Sequence, residues 1–394
     1  MKILSLSTSS CNGGAARVAA NIASAAAKYV DVTHITEDEI TVRGRFRAIT
    51  RRKLGRIPSL LERSQLEVYK SYGVFRSSLL PRLIDRVSPD IVHLHWVAGE
   101  FISIEDIGSL TKPIVWTMHD SWPFSGSEHH QLEQEGPGPA SGYRELSRLN
   151  PCRMTFERKL RAYRDIDIYP VAPSQWMNEK ASESVLFRNR EICTIQNPVD
   201  IDFIAPFDRA AARQKLGIDT QLPVLMVGAM TSFKDPIKGI DLLRSALIVY
   251  RERYGNFALI TVGGGYLDQD LDCEVVFSGR VKSREIMRAL YQAANVTCVP
   301  SRIETHSQMA AESIVSGTPV VCFDVGGNSS VVKDSITGFL VKPFDIQEYA
   351  HSIHKASILY RYGINNEEAR QHQSFWSPDE VGRRYTDLYR RIAG

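Results

Sequence analysis

Pro300-Ser301-Arg302-Ile303-Glu304-Thr305-His306-Ser307-Gln308-Met309-Ala310-Ala311-Glu312 leaves an apolar run, Val296 to Val299, and turns into a stretch of helical spacing, Gln308 to Ser316. Gly317-Thr318-Pro319-Val320-Val321 closes that helix and opens another strand. A loop entering a helix start offers backbone N–H groups and the positive end of the helix dipole to a phosphate. Glu304, in the loop, suits hydrogen bonds from sugar hydroxyls. Glu312, two turns along, suits contact with a ribose. One nucleotide sugar needs these three contacts together. Two glutamates at this spacing are common by themselves, so the flanking pattern carries the reading.

Working outward, the same alternation of strand and helix recurs. In the second half, strands are expected at Val224–Val227, Leu259–Val262, Val275–Phe277, Val296–Val299 and Val320–Phe323. Helices are expected at Lys238–Arg253, Ser283–Ala294 and Gln308–Ser316. The first half opens with a strand, Ile3–Leu6, a loop holding Gly13 and Gly14, and an alanine-rich helix from Ala15 to Lys28. That order opens a Rossmann-type unit. Further strands are expected at Val32–Ile35, Ile91–His95, Ile114–Thr117, Ile168–Ala172 and Ile192–Ile195, and helices at Leu60–Tyr72 and Ser77–Val87. Phe124 to Pro151 is rich in Gly, Pro and Glu and reads as a long irregular loop, a kind often functional. The pattern breaks near Asn197-Pro198 to Pro206. The expectation is therefore α/β: two Rossmann-like domains of parallel sheet, at 1–197 and 207–372. Residues 373–394 form a C-terminal helix expected to pack back on the first domain.

Size and composition agree. A chain of 394 residues is too long for one ordinary core. Its 43% hydrophobic and 24% charged residues suit a globular protein, and a net charge of +3 gives no electrostatic pointer to nucleic acid. The cysteines Cys11, Cys152, Cys193, Cys273, Cys298 and Cys322 are scattered without a CxxC pair, which suits a reducing cytosol. The first residues do not read as a signal peptide, and no apolar run approaches the roughly 20 residues needed to span a bilayer. A cytoplasmic location is expected.

The two glutamates followed by Gly317-Thr318-Pro319-Val320 resemble the signature of family 4 glycosyltransferases with the GT-B fold. Asp324-Val325-Gly326-Gly327-Asn328 and Thr337-Gly338-Phe339-Leu340-Val341 agree with it, as do Val227-Gly228, Lys238-Gly239 and Gly13-Gly14, so the likeness covers nearly the whole chain. It implies two Rossmann-like domains facing a central cleft and a nucleotide diphosphate sugar as donor. It implies contact of Glu304 with the donor sugar and of Glu312 with the ribose. Thr305, His306 and Ser307 would offer backbone to the diphosphate. It makes Lys238 the diphosphate clamp, because a fixed cation stabilises the charge that builds as the nucleoside diphosphate departs. The family commonly places an arginine just after Gly228. Here Ala229-Met230 follows, which leaves Lys234 and Arg280 as candidates to replace it. Gly13 and Gly14 permit close approach of backbone to the diphosphate, with Arg17 one turn on. The likeness implies no cofactor and no essential metal, and the four Asp-x-Asp matches are chance.

Thr117-Met118-His119-Asp120-Ser121-Trp122-Pro123 leaves the end of a strand, where open α/β sheets bind ligands. It resembles the His-Asp-x-Trp-Pro segment of bacterial O-antigen, capsule and exopolysaccharide glycosyltransferases. That likeness places His119 at the reacting centre and Asp120 and Trp122 on the acceptor side. Relatives carry several cysteines just beyond, whereas this chain has Ser125-Gly126-Ser127-Glu128-His129-His130 and only Cys152. His129-His130, one adjacent pair, is weak evidence for a metal. His93 and His95, two apart on a strand, read as packing or hydrogen-bonding residues. The basic stretch from Arg43 to Arg56, with Phe46, Ile49, Leu54 and Ile57, suits either the inner membrane surface or a solvated loop. The implied activity is retaining transfer of a hexose-type sugar to a glycan or lipid-linked glycan in surface polysaccharide assembly. The alternatives are a nucleotide-sugar epimerase of this fold, a non-catalytic sugar-nucleotide-binding subunit, and a nicotinamide dehydrogenase. The last is disfavoured because no G-x-G-x-x-G follows the first strand.

Overall fold

The computed structural model describes the chain except residues 11–12, 41–44, 62–68, 78, 131–137, 201–202, 204–205, 230–234, 265–270 and 365–373, with backbone alone at 45–48, 61, 229 and 278. It divides into two compact units, Met1–Asn197 with Asp379–Gly394, and Pro198–Pro378.

The described strands of the first unit are β1 (Lys2–Ser7), β2 (Asp31–Thr36), β3 (Ile91–Leu94), β4 (Ile114–Thr117), β5 (Ile168–Ala172) and β6 (Cys193–Thr194). They lie parallel in the order β2-β1-β3-β4-β5-β6. The central strands β3 and β4 are buried at every residue, as expected for a parallel sheet covered on both faces. One face packs against Val18, Ile22 and Ala26 of the helix Gly14–Ala26 and against Val381, Tyr385, Leu388 and Tyr389 of the helix Pro378–Ala393. Both sets are helical stripes, spaced by three and four residues.

The second unit holds β7 (Val224–Ala229), β8 (Ala258–Gly263), β9 (Glu274–Gly279), β10 (Val296–Val299), β11 (Val320–Phe323) and β12 (Gly338–Val341). All are parallel, in the order β12-β11-β10-β7-β8-β9. Read from the other edge this is 3-2-1-4-5-6, the Rossmann order. The direction of winding reverses between β7 and β10, so the loops leaving those two strands open side by side. In the first unit the reversal falls between β1 and β3.

Several stretches differ from expectation, among them β12, which is not among the expected strands. The helix expected at Leu60–Tyr72 is absent where it is described. Ile57–Leu61 is a short 3-10 turn, and 69–77 is irregular, with Lys70 bridging to Glu128. Just beyond the expected helix, the backbone N–H groups of Gly73, Val74 and Phe75 donate to the buried Glu100 carboxylate at 2.9, 2.8 and 3.1 Å. Within the expected loop Phe124–Pro151, Gly138–Ser141 forms one helical turn.

Candidate active site

In the second unit the loop after β10 and the turn after β7 are fastened backbone to backbone. Asp235 caps a 3-10 turn, Pro236–Lys238, its side chain accepting from the Ile237 N–H at 3.0 Å. Lys238 thus ends that turn, and Gly239 separates it from the helix Ile240–Tyr254. The Arg302 N–H donates to the Ile237 carbonyl at 2.8 Å, and its guanidinium bonds the Pro236 carbonyl and both Asp241 oxygens. Gly239 has φ +61°, and a Cβ there would sit 2.0 Å from the Pro300 carbonyl oxygen. Only glycine fits both that conformation and that approach.

This fastening sets Lys238 Nζ 2.8 Å from Glu304 Oε1, the oxygen that also accepts from Ser301 Oγ at 2.8 Å. Burial draws the Lys238 ammonium pKa down. The Glu304 carboxylate outweighs that and holds it above its ordinary value, so Lys238 is charged. The Glu304 backbone is gripped from the other side. Its carbonyl accepts from the Gly327 N–H at 2.7 Å, and a Cβ on Gly326 (φ +57°) would lie 2.1 Å from it.

The helix Gln308–Val315 starts at Ser307, whose side chain accepts from the Ala310 N–H. His306 is buried, its ring edge-on to Trp376, so what it offers the loop is backbone. Glu312 is buried and accepts from the Tyr291 hydroxyl at 2.9 Å. Arg280 is exposed just past the edge strand β9, which β8 separates from β7. Lys234 and Met230 lie outside the described residues.

In the first unit, Gly13 (φ +99°) is the N-cap of the helix Gly14–Ala26. A Cβ at Gly13 or Gly14 would meet nothing within 4 Å among the described residues. Arg17 is half-buried in the helix's first turn.

His119 follows β4, with Nε2 3.0 Å from His95 Nδ1. Burial pushes its pKa down to about 4, although Asp120 pulls upward, so it is neutral. Asp120 is no solvent-facing acceptor ligand. Its carboxylate takes hydrogen bonds from Trp96 Nε1 and His129 Nδ1, both at 2.6 Å, and from the Trp122 N–H at 3.0 Å. Despite its burial, the histidines hold it down at about 2. His129 Nε2 continues to Ser71 Oγ at 2.8 Å, which engages both ring nitrogens. Trp122 is buried, its indole N–H on the Ser71 carbonyl. Asp120 and Trp122 therefore shape the loop behind His119, where an acceptor-side role had been expected of them.

Against the turn Trp122–Gly126 lies a buried Lys159. Its ammonium donates to the carbonyls of Trp122, Ser125 and Gly126 and lies 3.9 Å from the Trp122 ring centroid. Beside it, the Cys152 thiol and the Tyr143 hydroxyl donate to Glu128. Reading the sequence missed Lys159, although it extends the buried stripe Cys152, Thr155, Phe156. Among the described residues no group of three or more His, Cys, Asp or Glu is arranged to hold a metal ion.

The buried imidazoles make this unit sensitive to acid. His34, His93, His95 and His119 all have pKa values lowered chiefly by burial. Well above pH 6.5 they are neutral both folded and unfolded. As pH falls toward 4 the unfolded chain takes up protons that the folded one refuses, so stability is lost through that window. Each fully buried imidazole contributes about 1.4 kcal/mol per pH unit to the slope. Melting followed by circular dichroism should give a Tm several degrees lower at about pH 5 than at about pH 7.5, and an unchanged Tm would contradict these neutral assignments.

Two nucleotide-type parallel sheets, with a lysine–glutamate pair where the second one reverses, define a protein of the GT-B glycosyltransferase class. Residues 12–203 match the model of Glycosyltransferase Family 4, and 222–357 that of Glycosyl transferases group 1. The chain belongs to family 4 of the glycosyltransferases. It is similar to the D-inositol 3-phosphate glycosyltransferase of Mycobacterium sp. (strain KMS), 30% identical over 283 residues, which are 67% of this chain and 58% of that relative. The same enzyme of Geodermatophilus obscurus is 27% identical over 312 residues, 73% of this chain and 63% of its own length. In fold it resembles sucrose-phosphate synthase from Thermosynechococcus elongatus (TM-score 0.69, 16% identity, 99% and 98% of the two chains). It also resembles Anabaena HepE in complex with UDP-glucose (0.66, 17%, 99% and 100%).

Proposed function

We propose that this chain moves a hexose-type sugar from a nucleotide diphosphate donor to a hydroxyl of a glycan or lipid-linked glycan, retaining anomeric configuration, in assembly of a bacterial surface polysaccharide. The observation that carries the reading is the 2.8 Å contact of Lys238 with Glu304 where the second sheet reverses. The bond that breaks joins a sugar carbon to a phosphate oxygen. A carboxylate and an ammonium in contact can each address one side of it. Glu304 orients the sugar hydroxyls, while Lys238 and the N–H groups at the start of the helix Gln308–Val315 stabilise charge on the departing diphosphate. Glu312, oriented by Tyr291, holds the ribose. The acceptor oxygen attacks from the face the diphosphate leaves, and the leaving phosphate oxygen takes its proton. His119 lines the reacting centre. No cofactor or metal enters this scheme.

A thermal-shift screen against GDP-, UDP-, ADP- and dTDP-glucose tests the donor. One base class should raise the Tm, since ligand at a hundredfold over Kd adds about 2.7 kcal/mol. No response to any of them would sink the reading. HepE, with UDP-glucose in its solved complex, puts UDP first in the panel. Donor incubated without acceptor should give at most slow hydrolysis, where an epimerase would release an altered sugar nucleotide. Inositol phosphate, named for the curated relatives, is the control acceptor.

The proposal includes peripheral contact with the inner membrane face through the helix Arg45–Leu54 and the turn after it. Ile49, Leu54, Ile57 and Leu60 are exposed there, Leu60 by 84%, beside exposed Lys53 and Arg56. Arg51 and Arg52 are engaged internally, on the Phe75 carbonyl and Glu37, and Arg43 lies outside the described residues. Among the described residues no helix is long and apolar enough to cross a membrane. The protein should sediment with anionic vesicles and be released by salt or by Leu60→Asp. Equal binding to neutral vesicles, or none, contradicts the contact.

A further inference from the structure

Lys238 stands beside a hinge. Gly239, which follows it, has no side chain to limit rotation and joins the 3-10 turn Pro236–Lys238 to the helix Ile240–Tyr254. A side chain from the loop after β10 bridges that hinge. Arg302 Nη1 donates to the Pro236 carbonyl, on the turn, at 2.8 Å and to Asp241 Oδ1, in the first turn of the helix, at 2.8 Å. Its Nη2 donates to Asp241 Oδ2. A single guanidinium thus ties residues on both sides of Lys238 to the loop that carries Glu304, two positions after Arg302.

Stability does not account for this arrangement. The Asp241 side chain is 66% exposed, and an ion pair so open to solvent adds little to folding. The backbone already joins the two loops. The Arg302 N–H on the Ile237 carbonyl and the close approach of Gly239 to Pro300 stay in place whatever side chain stands at 302. What the side chain adds is orientation. One backbone bond leaves the turn a pivot, and the guanidinium adds a fixed point on either side of Lys238. Arginine suits this because its planar fork grips a carboxylate with two bonds and a carbonyl with a third. The hydrogen bonds between them hold the Arg302 pKa above its ordinary value and that of Asp241 below, so both stay ionised. Placement matters at this point, since a shift of about 1 Å costs a reacting group about 100-fold.

We propose that Arg302 is a positioning residue for sugar transfer: its guanidinium spans the Gly239 hinge, from the Pro236 carbonyl to the Asp241 carboxylate, and so holds Lys238 against Glu304 while charge builds on the departing diphosphate. The inference rests on the reading that Lys238 and Glu304 serve the donor.

Steady-state rates of nucleoside diphosphate release, with whichever of the four glucose donors raises the Tm, test it on the full chain. Arg302→Met should lower kcat about 10- to 100-fold, as losing a group that orients a reacting one does. Donor KM should stay unchanged, and the Tm should fall by no more than about 4 °C. Arg302→Lys keeps the positive charge without the fork and should recover little of the loss. In a Lys238→Met background Arg302→Met should cost little more, because the ammonium it positions is gone, whereas a merely structural side chain would give losses that multiply. If Arg302→Met does not fold, Asp241→Ala, at the exposed end of the bridge, decides by the same measurements. Full kcat in the variant, full recovery by Arg302→Lys, or losses that multiply with Lys238→Met overturns the proposal. A raised donor KM at unchanged kcat also overturns it, since Arg302 would then be a substrate ligand. Wild-type kcat in Lys238→Met alone places the failure with the reading of the Lys238–Glu304 pair.

Discussion

Glu304→Gln should lower kcat roughly 100- to 1,000-fold, the range seen when one charge-stabilising group is removed from a reacting centre. Two effects add in that substitution. The sugar loses a charged acceptor, and Lys238 loses the partner that keeps its ammonium charged despite partial burial. Lys238→Met should cost a similar factor, because it removes the ammonium that contacts Glu304 at 2.8 Å. The double variant should be little worse than either single one, since the two side chains act as a unit. Steady-state rates with the screened donor measure this, and melting curves check that each variant is folded. Fully additive losses would mean that the two residues act at separate places, and wild-type rates in either variant would remove the pair from the chemistry.

Lys159→Met should strongly destabilise the first unit. The ammonium lies wholly inside, bonded to three carbonyls of one turn and seated on the Trp122 ring. Burial pulls its pKa down to about 7, with the Glu128 carboxylate pulling the other way. Methionine fills the space but leaves those carbonyls without a donor and Glu128 without its nearby cation. Breaking a buried pair in this way costs about 3–5 kcal/mol. In a unit of this size each kcal/mol moves Tm by about 2–4 °C, so a drop of roughly 10 °C is expected. Activity should fall further than stability alone accounts for, because the same turn carries Asp120 and follows His119. A Tm within about 2 °C of wild type would show that the turn does not depend on this cation.

The strands other than β12, and the Glu304–Glu312 element, were legible because both depend on local pattern. Short apolar runs punctuated by Gly and Pro mark a doubly wound sheet, and the loop after β10 carries its chemistry within thirteen residues. What escaped is what the fold assembles from afar. Ser71, Asp120 and His129 form one hydrogen-bonded line, yet Ser71 lies in a segment read as helix. That misreading has a physical source. Lys70 and Ser71 pair instead with Glu128 and the Ser127 carbonyl, and just past the expected helix a carboxylate 25 to 27 positions away takes the N–H groups of Gly73, Val74 and Phe75. Tyr291 lies within the expected helix Ser283–Ala294, and only the packed unit turns its hydroxyl to Glu312. Arg302 and Ser301 sat inside the decisive stretch and were passed over, because a sequence does not show which side chains fasten a loop and which face a ligand.

The helix Pro378–Ala393 has a consequence for how the protein is made. Its Val381, Tyr385, Leu388 and Tyr389 complete a core whose other walls come from the opening strands. Residues 379–394 leave the ribosome only after the whole of the second unit has. A domain normally folds as soon as it emerges, but here the portion translated first waits for the portion translated later. Until then Ile3, Ile91, Val115 and His93 lack their cover, and the nascent chain carries an open, partly apolar face through the synthesis of about 180 further residues.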